Sequence, residues 1–435
     1  MNADMKQPVL QLALDFVDID RAIKVAEESV LGGIDWLEAG TPLIKSEGLE
    51  AVRQLRAKFP DKVIVADMKV MDAGRVEVEC AAKAGADIID CLGVAPDATL
   101  RECIKAAKNY GAKIVVDTIG VKNVKERAVE AEDMGADIIT VHIAIDEQMQ
   151  AVDPFERLRE VVSAVSIPVG VAGGINSETA AKVVKAGAGI VIVGGAVTKS
   201  ADARSATEKI KLAVKTGKGV KTTLYKRVAA GKIRGVLEKV STANLSDAMH
   251  RQGELSGITS VMNGLKMVGS AVTVRTYPGD WAKPVEAIDI ASPGDVIVID
   301  SGGIEPAVWG ELATCSAVQK KIAGVVIDGA IRDVDEVKKL KFPAFSKLIV
   351  PAAGEPKGFG EINVPVKIGG TVVHPGDWIV GDDDGVVVIP GKEAAEITNR
   401  AMDVLERENR IRKEIRDGGT LAKVAHLLRW EKKQG

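Results

Sequence analysis

Residues 63–91 read VIVADMKVMDAGRVEVECAAKAGADIIDC. An apolar run, VIVADM at 63–68, gives way to a polar loop, then to the amphipathic stretch VEVECAAKAGA, then to a second apolar run, ADIIDC at 86–91. Short Val/Ile-rich runs joined through a helical pattern read as parallel strands buried on both faces. Gly85 supplies the left-handed residue on which the helix ends before the next strand begins. The unit recurs in both directions along the chain. VLQLAL (9–14), IDWLEA (34–39), KIVVDT (113–118), DIITVH (137–142), IPVGVA (167–172) and GIVIVG (189–194) bring the strands to eight. Eight βα units within residues 1–214 predict a (β/α)8 barrel. An open doubly wound sheet fits less well. It ordinarily carries a Gly-rich loop after its first strand, where this chain has LALDF.

Outside the barrel the pattern changes. The stretch from 209, KIKLAVKTGKGVKTTLYKRVAAGKIRGVLEK, is rich in Lys and Arg, and 215–239 reads as a basic, solvated linker, with an anion or RNA contact as the sharper reading. Residues 240–435 read as a second α/β domain. STANLSDAMHRQG opens it as a capped helix, and strand-like runs follow, separated by Pro-Gly-Asp and Asp-Gly turns. A charged amphipathic helix over about 391–416 closes it, with the character of a helix that packs across a subunit boundary.

The whole chain of 435 residues has a net charge of −3, which gives no electrostatic case for nucleic-acid binding. Cys80, Cys91, Cys103 and Cys315 form no Cys-x-x-Cys pair and read as reduced thiols of a cytoplasmic protein. The start lacks the pattern of a signal peptide, and no apolar run is long enough to span a membrane.

In such a barrel the C-terminal strand ends face the active site. Those ends carry Asp15, Glu38, Asp67, Lys69, Asp72 and His142, and the glycine pairs Gly173-Gly174 and Gly194-Gly195 after strands 7 and 8. A lone Asp at a strand end is as often a helix cap as a functional group, and Asp117 stays open on that ground. Glu38 and Asp67, on neighbouring strands, repel unless a cation or proton sits between them. Mg²⁺ (or Mn²⁺), completed by water and substrate oxygens, is the expected occupant. Lys69 would stabilise a developing oxyanion, and His142 has a pKa suited to proton transfer. Glycine loops after strands 7 and 8 are where barrels bind phosphate. The expected chemistry is a metal-stabilised enediolate of a sugar phosphate. His250, His374 and His426 share no metal-ligand spacing and read as structural.

Asp67-Met-Lys-Val-Met-Asp72 resembles the Asp-x-Lys-x-x-Asp signature of the orotidine 5′-phosphate decarboxylase superfamily. LALDF, EAGTPLIKSEG, ADMKVMDAG, VHIAIDEQ and VAGGI resemble its hexulose-6-phosphate synthase branch. That resemblance implies condensation of formaldehyde with ribulose 5-phosphate. In it Asp15 helps bind substrate, Glu38 and Asp67 hold the metal and His142 moves protons. It also implies a homodimer in which Asp72 reaches the neighbouring subunit's site. Orotidine decarboxylases carry Lys where this chain has Glu38. The 3-keto-L-gulonate 6-phosphate decarboxylases carry Arg where this chain has Ile145.

In the second domain, GDVIVIDSGG, WGELATCSAVQKKIAGVVIDGAIRD and PGDWIVGDDDGVVVIP resemble the family of the regulator of RNase activity A, which includes 4-hydroxy-4-methyl-2-oxoglutarate aldolases. That resemblance implies trimers or larger rings. It pairs Arg332 and Asp333 with an acid at 311. Glu311 stands where the aldolases use Asp. Asp333 and Glu311 would hold a cation and Arg332 a 2-oxo carboxylate. The alternatives are a structural Arg332–Asp333 ion pair and a module that binds protein.

Overall fold

The computed structural model describes residues 7–142, 155–222, 224, 227–228 and 232–424. Ile145 and His426 lie outside them. The described chain divides into two compact units, one made of 1–226 with 406–435, the other of 227–405.

In the first unit eight parallel strands close a barrel in chain order. They are β1 Val9–Leu14, β2 Trp36–Ala39, β3 Val63–Val70, β4 Ile88–Leu92, β5 Lys113–Asp117, β6 Ile138–His142, β7 Val169–Ala172 and β8 Ile190–Val193. All eight expected strands form, and β1 pairs with β8 to seal the ring. Alternation along each strand sorts the side chains. Leu10, Leu12, Leu14, Ile64, Ala66, Ile89 and Cys91 turn outward into the layer beneath the helices. Val65, Ile88, Val115, Ile138 and Ile190 turn inward and plug the barrel. The next inward positions on β3, β4, β5 and β6 are therefore Asp67, Asp90, Asp117 and Thr140, and one step on β6 follows His142. The apolar floor and the polar mouth thus follow from one periodicity.

The last helix spans Ala394–Arg416. The sequence reading places all of it with the second domain; the structure instead groups the residues from Glu406 onward with the barrel unit. The cause is Arg410, whose side chain is 2% exposed. Its Nη2 lies 2.9 Å from Glu28 Oε1 and its Nε 3.0 Å from Glu414 Oε1, and Glu414 also meets Arg21 at 3.2 Å. Removing one partner of a buried network leaves the others uncompensated. Arg410→Met is expected to lower the unfolding free energy by about 3 kcal/mol, checked by urea denaturation; an unchanged midpoint would show that the network contributes nothing.

The second unit is built on a nine-stranded mixed sheet. Its strands are β9 Thr259–Ser260, β10 Met267–Arg275, β11 Val296–Asp300, β12 Ala307–Trp309, β13 Gly324–Ile331, β14 Ala344–Ile349, β15 Glu361–Ile362, then, after a separate hairpin of β16 Val366–Ile368 and β17 Thr371–Val373, β18 Trp378–Asp382 and β19 Gly385–Ile389. β10, β11, β13 and β14 run parallel at its centre. Their runs are continuously apolar because both faces are covered: Val296 and Val298 enter one core, Ile297 and Ile299 the other. The helix Thr242–Ala248 has the expected cap, a reciprocal capping box between Ser241 and Asn244. Among the described residues no helix is long and apolar enough to cross a membrane.

Candidate functional site at the barrel mouth

The site is organised by an irregularity in β3. That strand pairs with β4 through Val65↔Ile88 and Ala66↔Ile89, and again at Val70↔Cys91. Asp67, Met68 and Lys69 therefore lie against the single residue Asp90. A bulge of this kind bends a strand and re-aims its side chains. Within it Lys69 has a φ of 48°, a left-handed conformation that costs an L-residue roughly 1–2 kcal/mol. Ion pairs hold it there: Lys69 Nζ lies 2.8 Å from Asp67 Oδ1 and 3.1 Å from Asp117 Oδ2.

Each acid has further partners. Asp67 Oδ2 accepts from the Thr41 hydroxyl at 2.7 Å and the Thr41 N–H at 3.1 Å. Asp117 Oδ1 accepts the Ile119 N–H at 2.9 Å, and its Oδ2 meets His142 Nδ1 at 2.8 Å. Burial works against ionising Asp117, but the hydrogen bond and charge of His142 and the charge of Lys69 outweigh it and hold the carboxyl below the ordinary aspartate range. An ionised carboxylate only accepts, so Nδ1 of His142 donates in this bond and Nε2 takes no part in it. Burial also works to strip the Lys69 proton. The charges of Asp90, Asp67 and Asp117 prevail, and the ammonium is held above the usual lysine range.

Glu38 is buried and accepts from Gln11 Nε2 at 2.7 Å. Burial first, then repulsion by Asp67 and Asp15, pushes its carboxyl well above the ordinary range. Asp15 is open to water at the mouth. The protein crowded about it and the charge of Asp67 raise it in the same direction, an effect that contact with solvent moderates. Glu38, Asp67 and Asp15 thus face one another. Among the described residues no group of three or more His, Cys, Asp or Glu side chains is arranged to hold a metal by itself. Two hard carboxylates whose charges collide nonetheless suit a divalent cation that takes its remaining ligands from water and substrate, the habit of Mg²⁺.

The glycine loops complete the mouth. Gly173 and Gly174 have φ of 116° and 64°, a succession that glycine alone adopts at little cost. A Cβ at Gly194 would stand 3.5 Å from Asp15 Oδ2, and one at Gly195 would stand 3.1 Å from Lys199 Nζ. The β8 loop therefore runs beside Asp15 and under an ammonium.

The structure brings together Asp15, Glu38, Asp67, Lys69 and His142 from the sequence reading, with Gly194 beside Asp15 and Gly195 against Lys199. Asp72 is not among them: it is exposed, and its Oδ1 accepts the N–H of its own neighbour Ala73 at 2.7 Å. Asp117, left open by the sequence, joins both the lysine and the histidine. Gln11, Thr41, Asp90 and Lys199 were not picked out. Asp90 was within reach of the period-2 pattern, two residues beyond the inward Ile88. Lys199 stands one helical turn past Gly195. Nothing in the sequence marks Thr41 as the partner of Asp67.

In the second unit Asp333 has a φ of 56° and stands at the start of the helix Val334–Lys339. Its Oδ2 accepts the Glu311 N–H at 3.2 Å and lies 3.5 Å from Arg332 Nε. A Cβ at Gly310 would come within 2.6 Å of the same oxygen, so a larger residue there would displace the Asp333 carboxylate. Arg332 and Asp333 do form the ion pair considered from the sequence, and both remain about two-fifths exposed. The Glu311 carboxylate accepts from Cys315 Sγ at 3.2 Å. Glu311 thus meets Asp333 through its backbone.

Residues 8–210 match the family described as orotidine 5′-phosphate decarboxylase/HUMPS, and residues 242–388 match the Aldolase/RraA family. The 3-hexulose-6-phosphate synthase of Bacillus subtilis is 41% identical over 209 residues, which are 48% of this chain and 99% of that protein. The 3-hexulose-6-phosphate synthase of Mycobacterium gastri is 37% identical over 205 residues, 47% of this chain and 99% of that one. The crystal structure of Streptomyces coelicolor RraAS2, an unusual member of the RNase ES inhibitor RraA protein family, is 31% identical with a TM-score of 0.39, covering 42% of this chain and 98% of its own.

Proposed function

The chain belongs, through residues 8–210, to the orotidine 5′-phosphate decarboxylase/HUMPS family, and from that premise we propose that its barrel is a 3-hexulose-6-phosphate synthase. The proposed reaction joins formaldehyde to C1 of ribulose 5-phosphate. A proton leaves C1, the resulting enediolate attacks the formaldehyde carbon, and the former carbonyl oxygen takes up a proton. The observation that carries the reading is the charge arrangement at the mouth: mutually repelling Glu38 and Asp67 beside a lysine and a histidine joined by Asp117. A divalent cation bound by Glu38 and Asp67 would offset the negative charge that develops on the sugar.

The chain's own groups do the rest. His142, oriented through Nδ1 by Asp117, takes and returns protons at Nε2. The Lys69 ammonium, fixed on the bulge, opposes the developing oxyanion. The glycine loops offer backbone N–H groups to the phosphate, with Lys199 alongside. Asp15 accepts from a sugar hydroxyl. Asp72 acts across a barrel dimer. In the second unit Arg332 would receive a 2-oxo carboxylate, with Asp333 at a hydrated cation, as in an aldolase or decarboxylase of 2-oxo acids.

The test is a paired assay of the full chain with Mg²⁺. Formaldehyde consumed with ribulose 5-phosphate, and no CO₂ released from 3-keto-L-gulonate 6-phosphate, is the expected outcome; the reverse pattern would replace the synthase by a decarboxylase. Oxaloacetate turnover abolished by Arg332→Ala is expected of the second unit, and its absence would leave that unit a binding module.

A further inference from the structure

Among the described residues, Asp90 is the one inward-facing acid of the barrel strands for which the proposed reaction has no use. It is 6% exposed, and its Oδ1 has no hydrogen-bond partner among the described residues. Buried carboxyl groups are ordinarily paired, since an unmet one costs on the order of 1–3 kcal/mol. It caps no helix, because it lies inside β4, paired with Val115. Leu92, two residues on, pairs with Asp117, so Asp90 sits one inward step deeper than Asp117. The bulge sets Asp67, Met68 and Lys69 directly against it.

Lys69 Nζ has three N–H donors, and two of them face Asp67 and Asp117. Both of those acids have other work. Asp67 is gripped by Thr41 and would turn toward a cation, while the Asp117 oxygen facing Lys69 also meets His142. We propose that Asp90 is a positioning residue for Lys69, a third carboxyl group on the deep side of the bulge that keeps the ammonium in place while Asp67 and Asp117 serve the cation and the histidine. The inference rests on the reading that Lys69 opposes an oxyanion in the reaction.

The experiment is a double-mutant cycle in the full chain: Asp90→Asn, Lys69→Met and both together. It reads kcat and KM for ribulose 5-phosphate, hydrogen exchange at C1, and Tm. Asp90→Asn should lower kcat about ten- to hundredfold, the range for groups that act through a neighbour, with KM within about twofold and Tm unchanged or higher. In the Lys69→Met background the same change should have no further effect on exchange and should raise Tm, because carboxylates that have lost their ammonium gain from losing one of their number. A wild-type kcat in Asp90→Asn, an equal loss in both backgrounds, or a Tm that falls in both would overturn the proposal. If the wild-type chain neither condenses formaldehyde nor exchanges C1, the functional reading fails instead. The Tm cycle then decides alone: non-additive shifts sustain the Asp90–Lys69 coupling and additive shifts refute it.

Discussion

Glu38→Gln is expected to lower kcat/KM for formaldehyde addition to ribulose 5-phosphate by about a thousandfold, the scale for losing one electrostatic element around a developing oxyanion. The substitution keeps an oxygen for the Gln11 amide, so the hydrogen bond at 2.7 Å survives. It removes a charge that burial and Asp67 already disfavour. The sign of the stability change follows. A carboxyl whose folded pKa is raised keeps a proton that the unfolded chain releases, so it penalises the fold increasingly as pH rises above the ordinary glutamate value. The variant should therefore melt at or above the wild-type temperature near neutrality, with the difference shrinking as pH falls toward that value. Activity within a few-fold of wild type would show that Glu38 holds nothing the reaction needs. Lost activity with a strongly lowered Tm would instead make Glu38 a structural residue.

His142→Gln is the second large effect, a loss of about a hundred- to ten-thousandfold in kcat, the range for a positioned acid–base group. The amide can still reach Asp117 but cannot carry a proton to and fro. KM for the sugar phosphate should change little, because the phosphate and hydroxyl contacts proposed for the glycine loops and Asp15 do not involve His142. C1 hydrogen exchange in deuterated water should fall in parallel with turnover. Turnover that falls while exchange persists would place His142 at the formaldehyde oxygen alone and move proton abstraction to another group.

The barrel was legible because one local rule repeats. Each buried parallel strand is a short Val/Ile run bounded by Gly-ended helices, and eight of them leave little topological choice. The acids at the strand ends were legible for the same reason, since the mouth of such a barrel collects whatever polar residues end its strands. The β3 bulge was not. It comes from a register shift between two strands, and register depends on the partner strand. The roles of Asp90 and Asp117 depend on that register, so one went unnoticed and the other stayed ambiguous. The grouping of the final helix was hidden for another reason: its end joins the barrel unit through Arg410, buried against Glu28, 382 residues away in the chain, and against Glu414 one turn on. In the second unit the motif located Arg332, Asp333 and Glu311 together, but the backbone N–H of Glu311 makes the contact with Asp333.

The role proposed for Glu38 and Asp67 is to share a cation that steadies a negatively charged sugar. It is tested most directly by following deuterium entry at C1 of ribulose 5-phosphate by NMR, in the full chain without formaldehyde, across a titration with Mg²⁺ and then EDTA. Exchange should rise with the cation, stop on chelation and be absent in Glu38→Gln. Exchange at the full rate after chelation, or undiminished in that variant, would contradict it.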